Sequence, residues 1–324
     1  MKPALVIGLI ALGLFSQTAM ANGGSERLQD FDEFAGYLNR LPKSKGLGSP
    51  WARNNVRPQL DSYLMEIVNV DCALDRFALQ EEIENNHSSS VRYLITGSCD
   101  LRSLNVSPVA KGLHIVGDVD LADPDLDPAN IPGLQFGPES YLWAGAEASV
   151  RLSNLVMEAE VAGGSIVLGT SAGSLALTNV GLRNSELTIA ASRSGKVFVL
   201  SEADTTREEA RTPAQNFLLG IALDSQIILL RGSSAVVAGG TASVQFLARE
   251  GSNISHYASS QGSDFGRYSY SLSAGSRAYV RTAGGSVSSV SLSSGSSFVY
   301  PNFAPVNPEN LSVSPSSYFG VEFD

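Results

Sequence analysis

The sequence predicts an all-β parallel β-helix, a single-stranded solenoid of about eight or nine coils. The first observation behind this is an internal repeat between Ser149 and Ala203. SVRLSNLVMEA, SLALTNVGLRN and KVFVLSEA can be laid over one another, with Leu152, Leu177 and Val199 in register and Asn154, Asn179 and Ser201 in register, at separations of 25 and 22 residues. One short apolar strand and one polar corner residue per unit is the pattern of coils that bury a core only by stacking. The second observation is a long series of short β-branched runs after residue 113, separated by Gly, Ser and Asn. The Asn-Gly and Asp-Gly turns that would favour antiparallel hairpins are missing there.

Met1 to Ala21 carries one basic residue, an apolar run and an Ala-Met-Ala end, which reads as a secretory signal peptide cut before Asn22. Its uninterrupted apolar part ends near Phe15, short of the roughly 20 residues that span a bilayer. The mature chain is therefore expected to be secreted or periplasmic, with no integral membrane segment. The formal charge of −10 becomes −11 once Lys2 leaves, which opposes general affinity for nucleic acid or anionic lipid.

Residues 22–63 read as an N-terminal helix and linker. Leu28, Phe31, Phe34 or Ala35, Leu38 and Leu41 fall on one helical face from Ser25 onward. Such a helix either docks a partner or folds over an open side or end of its own solenoid. The stretch 43–58 is rich in Pro, Gly and basic residues, with Trp51 as its one large anchor.

From Tyr63 the pattern is a strand, YLMEIVNVDC, a short helix, ALDRFALQEEIENN, and a second strand, VRYLITGSC, followed by LHIVGD. This order, with a cysteine ending each strand and Leu79-Gln80 and Ile83 on the helix, resembles the opening of secreted proteins with the pectin-lyase-like right-handed parallel β-helix. In that family the short helix closes the first coil. The resemblance covers about Val68 to Asp120 by motif and the rest only by period. It implies the fold and an association with polysaccharides, with no activity motif to carry over. Cys72 and Cys99 are the only cysteines, so one disulfide is expected in an exported chain, closing a loop with 26 intervening residues.

Candidate strands follow at 113–119, 140–145, 148–155, 164–169, 174–180, 186–192, 196–201, 225–232, 235–240, 243–248, 277–281, 286–293 and 296–301. The β-helix domain is thus placed at 64–303. Beyond Ala274 the repeat turns Ser- and Gly-rich, which predicts a thinner core, and residues 304–324 read as a tail or cap. Asn154 and Asn179 are expected to stack as a corner ladder.

Three stretches offer chemistry. Asp118, Asp120 and Asp123, with Asp125 and Asp127, supply hard oxygen ligands for Ca²⁺ or else form a solvated acidic loop; the EF-hand glycine is missing. Residues 201–217 break the repeat, and Thr206 with Glu209 has capping-box spacing for a short helix there. Residues 255–270 mix rings with polar groups. A ligand face is expected where these last two interruptions meet, with Tyr257 and Tyr268 stacking on sugar rings and Arg207, Arg211 or Arg267 bonding hydroxyls or a carboxylate. A Ser/His/Asp set does not assemble from spacing, and only Lys111 and Lys196 lie in the solenoid. These features favour a non-catalytic exported protein that binds glycan or builds an envelope or matrix structure; the alternative is a polysaccharide lyase or glycoside hydrolase. The oligomeric state is not encoded in any feature of the sequence.

Overall fold

The computed structural model describes residues 66–86, 90–102, 104–106, 112–138, 140–200, 212–219, 225–238, 243–258, 267–282, 286–301 and 306–322. The segment 22–63, with its expected helix, lies outside the described residues, as does the Thr206/Glu209 capping site.

Two parallel sheets wrap one apolar core. The first has thirteen strands and runs from Glu66–Asp71 to Tyr318–Glu322, while the second has nine, from Leu104–Val106 to Asn310–Val313. Successive coils add one strand to each sheet, so the nine strands of the second sheet match the expected coil number. Alternation places side chains inward and outward along each strand. Leu152, Leu177 and Val199 stack inward on neighbouring strands of the first sheet, in the register their repeat predicts.

The asparagine corner explains the shape of the early coils. Asn154 and Asn179 take φ of 54° and 51°, the left-handed region that asparagine tolerates better than most residues. The Asn179 amide donates to Asn154 Oδ1 at 3.0 Å. Beyond this corner the strand Ser149–Ala159 turns away from the first sheet, and its second half pairs with Gly133–Phe136, which in turn pairs with Ser98–Leu101. A third face results, built from Ser98–Leu101, Gly133–Phe136 and residues 155–159 and 180–183. An Asn179→Ala variant loses the amide bond and keeps a Cβ in the left-handed region, so a loss of about 2 kcal/mol is expected. Asn179→Gly should lose only about half of that. Urea midpoints at constant m check the order, and equal losses would contradict the corner's role.

A second kind of corner joins the second sheet back to the first, and it accounts for the Ser/Gly-rich stretch. At Arg231-Gly232, Glu250-Gly251, Ala274-Gly275 and Ser294-Gly295 two consecutive residues have positive φ. The backbone NH of Ser233, Ser276 and Ser296 bonds the carbonyl three residues back, the geometry of a type I′ turn. Each turn ends in a buried serine whose hydroxyl also donates to that carbonyl, at 2.6, 2.6, 2.8 and 2.6 Å for Ser233, Ser252, Ser276 and Ser296. The small residues therefore sit at corners. Beyond Ala274 the described core consists of Ala278, Val280, Val287, Val290, Leu292, Phe298 and Val306, mostly smaller side chains, with Phe298 as the large exception.

Helix α1, Ala78–Asn85, closes the first coil with Leu79 and Gln80 buried. Cys72 and Cys99 are joined, with their Cα atoms 5.1 Å apart. At the other end, 306–322 is not an aperiodic tail. Asn310–Val313 and Tyr318–Glu322 add a final coil to both sheets.

Candidate functional site

The third face is where the interruptions of the repeat gather. On its outer side Asp100, Gln135, Glu158 and Arg183 stand in register on four successive strands, at about 4.8 Å per step. Alternation dictates this row, because Cys99, Leu101, Leu134, Phe136, Met157 and Ala159 point into the core. Asp100 accepts from the Arg76 guanidinium, at 2.7 Å from Nε and also from NH2. Glu158 lies 3.8 Å from Arg183. Arg183 also donates to the Pro128 carbonyl at 3.4 Å and sits over the Phe217 ring at 5.8 Å.

A wall rises along one side of the row. Helix α2, Pro213–Leu219, begins with a reciprocal capping box: Gln215 NH donates to Thr212 Oγ1 at 3.1 Å, and Thr212 NH donates to Gln215 Oε1 at 3.0 Å. Thr212 Oγ1 reaches Leu121 O at 2.7 Å, tying the insertion to the acidic loop. Between them Ile131, Val156, Ala214 and Leu218 form a small apolar cluster outside the solenoid, flanked by Leu121, Leu126 and Phe217. Gly181 makes the fit possible, since a Cβ there would come within 2.9 Å of Leu218 and 3.4 Å of Phe217. A Gly181→Val variant is expected to lift α2 at a cost of about 1–3 kcal/mol, leaving the solenoid folded. Faster proteolysis within residues 201–224 with unchanged strand circular dichroism checks this; unchanged proteolysis would refute it.

Three of the five aspartates of the acidic loop bond its own backbone. Asp120, Asp123 and Asp127 each accept the backbone NH two residues on, at 2.9, 2.9 and 2.8 Å. These are Asx turns, which explain acidic residues at that spacing without a cation. Asp118, Asp120 and Asp123 do not converge, and among the described residues no group of three such side chains is placed to hold a metal ion.

The expected ligand face divides among different surfaces. Asn253–Ala258 is a strand of the first sheet and Arg267–Leu272 a strand of the second. Tyr257 lies on the outer face of the first sheet with its ring 6.0 Å from that of Tyr279. Tyr268 is only 3% exposed and packs edge-on against His256 at 4.5 Å, so it is a core residue and not a stacking platform. Arg267 is exposed on the second sheet, 3.9 Å from Glu309. Arg207 and Arg211 lie outside the described residues. Among the described residues the insertion meets the acidic loop, 91 residues away, at the Thr212–Leu121 contact.

The described histidines are structural. His256 Nδ1 is 2.5 Å from Tyr270 Oη inside the core, and burial lowers its pKa to about 3. His114 is lowered to about 2, by burial and then by the nearby Arg151 and Arg92. Burial raises Tyr270 well above its usual value.

Comparison with protein-family models, with curated proteins and with solved structures returns no match. Among the described residues no helix is long and apolar enough to cross a membrane.

Proposed function

We propose that this chain is an exported, non-catalytic β-solenoid that binds an extended glycan along its third face. The observation that carries the reading is the row Asp100, Gln135, Glu158 and Arg183. It presents hydrogen-bonding groups at one per coil, on a rigid sheet, beside an apolar wall that includes the Phe217 ring. Regular spacing close to the length of one pyranose unit suits a polymer better than a compact small molecule. The parallel solenoid and its capped, disulfide-closed first coil are in keeping with a pectin-lyase-like ancestry, which by analogy points to polysaccharide as the ligand class. Catalysis is not favoured, because each carboxylate of the row faces a guanidinium: Asp100 faces Arg76 and Glu158 faces Arg183. Neither is then free to act as a paired general acid and base.

A glycan array with the chain from Asn22 tests the reading. Binding is expected, and Gln135→Ala with Glu158→Gln should weaken it by about tenfold or more, a loss of two neutral or charge-assisted hydrogen bonds. An unchanged affinity would move the site elsewhere. Unsaturated product at 235 nm or new reducing ends from any polysaccharide on the array would establish the lyase or hydrolase alternative in its place.

A further inference from the structure

The outward face of the second sheet is uncharged along its length. Leu142, Ile189, Ile227, Phe246, Tyr270 and Leu292 fill the core, so alternation puts the residues between them outside. One outward column runs in register from Trp143 through Ala190, Ile228 and Leu247 to Ser271 and Ser291. The column beside it, two residues earlier on each strand, contains Gln226 and Gln245, which are exposed and bond each other at 3.5 Å. From Tyr141–Ala144 to Asn310–Val313 neither column holds a charged residue, in a chain with 22 basic and 32 acidic side chains. The third face, by contrast, carries Asp100, Glu158 and Arg183.

Size changes along the first of these columns in a definite order. It is bulky at Trp143, whose ring lies over Gly169 and leaves no room for a Cβ there. Ile228 and Leu247 at its middle are half-buried, and beyond them Ser271 and Ser291 are small and exposed. Nine strands at about 4.8 Å, each about four residues wide, give a face of roughly 40 by 13 Å. Two such faces in contact remove on the order of 1,000 Å² from water, the size at which specific interfaces begin. Aliphatic and aromatic groups without charge are the composition of an interface centre. Each copy carries a net charge of −10, so contact between copies is least opposed where the surface is neutral.

We propose that two copies of this chain pack through the outer faces of their second sheets. Their rods run in opposite directions about a two-fold axis parallel to Ser225–Leu229, the fifth of the nine strands. The size gradient selects this orientation. It sets Ile228 beside its own counterpart, Ala190 against the copy's Leu247 and Trp143 against the copy's Ser291, so large side chains meet small ones between stacked sheets. The two Gln226 amides meet near the axis, where each can donate to the other. A two-fold axis along the rod would instead bring Trp143 against the copy's Tyr141 and leave serines facing serines across a gap.

Sedimentation velocity of the chain from Asn22, between about 1 and about 100 μM at neutral pH, is expected to show a monomer–dimer equilibrium. Ile228→Arg and Ser271→Arg should each weaken the dimer by about tenfold or more, with strand circular dichroism unchanged. Ser271 is exposed, so its variant probes the face without disturbing the core. Arg277→Glu, on the exposed side of the first sheet, should leave the dimer as it was. Both native cysteines are bonded, so Ile228→Cys adds a lone thiol that should give a disulfide-linked dimer with a mild oxidant, whereas Arg277→Cys should not. A monomer at every concentration overturns the proposal. A dimer that Ser271→Arg leaves intact, or that Ile228→Cys fails to crosslink, uses another surface or another orientation and overturns it too. Glycan binding by a monomeric chain that is lost in Ser271→Arg would assign this face to a polysaccharide, and the proposal would fail.

Discussion

Lowering the pH from 7 to 4.5 is expected to cost this fold several kcal/mol, with two buried histidines responsible for much of the slope. His256 and His114 have pKa values lowered to about 3 and about 2 in the folded protein, against about 6.5 in an unfolded chain. Between these values the unfolded state holds the extra proton, so stability is complete above about pH 6.5 and falls as pH drops toward 3. Each histidine contributes up to about 1.4 kcal/mol per pH unit in that window. Their causes differ: His256 is neutral because it is desolvated against Tyr270, whereas His114 also feels Arg151 and Arg92. Urea unfolding at pH 7, 5.5 and 4.5 measures the slope. His256→Gln and His114→Gln should each flatten it by about one proton, and identical slopes in wild type and both variants would rule the mechanism out.

Breaking the disulfide is expected to be the largest single loss at neutral pH. The bond spans 27 residues, for which the chain-entropy account gives about 3–4 kcal/mol. Its place sharpens the effect, because the loop it closes contains α1, which packs on Glu66–Asp71 and Ser98–Leu101 with Leu79 fully buried in the core. Urea midpoints of the Cys72→Ser/Cys99→Ser double variant and of wild type measure it. Coincident midpoints would show that stacking alone closes the end. Thiol titration of the unfolded, unreduced protein should find no free sulfhydryl.

How much of this was readable beforehand depends on whether a feature is local. The Leu152, Leu177 and Val199 register, the asparagine corner and the disulfide each leave a signature within one or two coils, and all three appear as expected. The strand Asn253–Ala258 was hidden because Ser255, His256 and Tyr257 mix polar groups with rings; a histidine that belongs to the core by virtue of one bond to Tyr270 looks in sequence like a surface residue. The final coil was hidden because NLSV has few apolar residues to announce it, and its side chains are all exposed. The type I′ corners were missed because those turns were sought as Asn-Gly hairpins, whereas here Arg-Gly, Glu-Gly, Ala-Gly and Ser-Gly connect two sheets. The third-face site was the least legible part. The capping spacing expected from the sequence falls at Thr206 and Glu209, outside the described residues, whereas the described helix starts with the box at Thr212 and Gln215, and no local pattern says that this helix will rest on Gly181 and the loop at Leu121.

The Gly-Ser corners also bear on how such a gene changes length. Four successive coils after Leu230 are entered through the same short phrase, so codons for Gly232-Ser233, Gly251-Ser252, Gly275-Ser276 and Gly295-Ser296 form recurring seams. Recombination between two seams removes or duplicates a whole coil and leaves each remaining strand beside a neighbour of the same polarity. Rod length is then a heritable quantity that varies in steps of about 4.8 Å, one strand spacing at a time, without passing through a misfolded intermediate genotype.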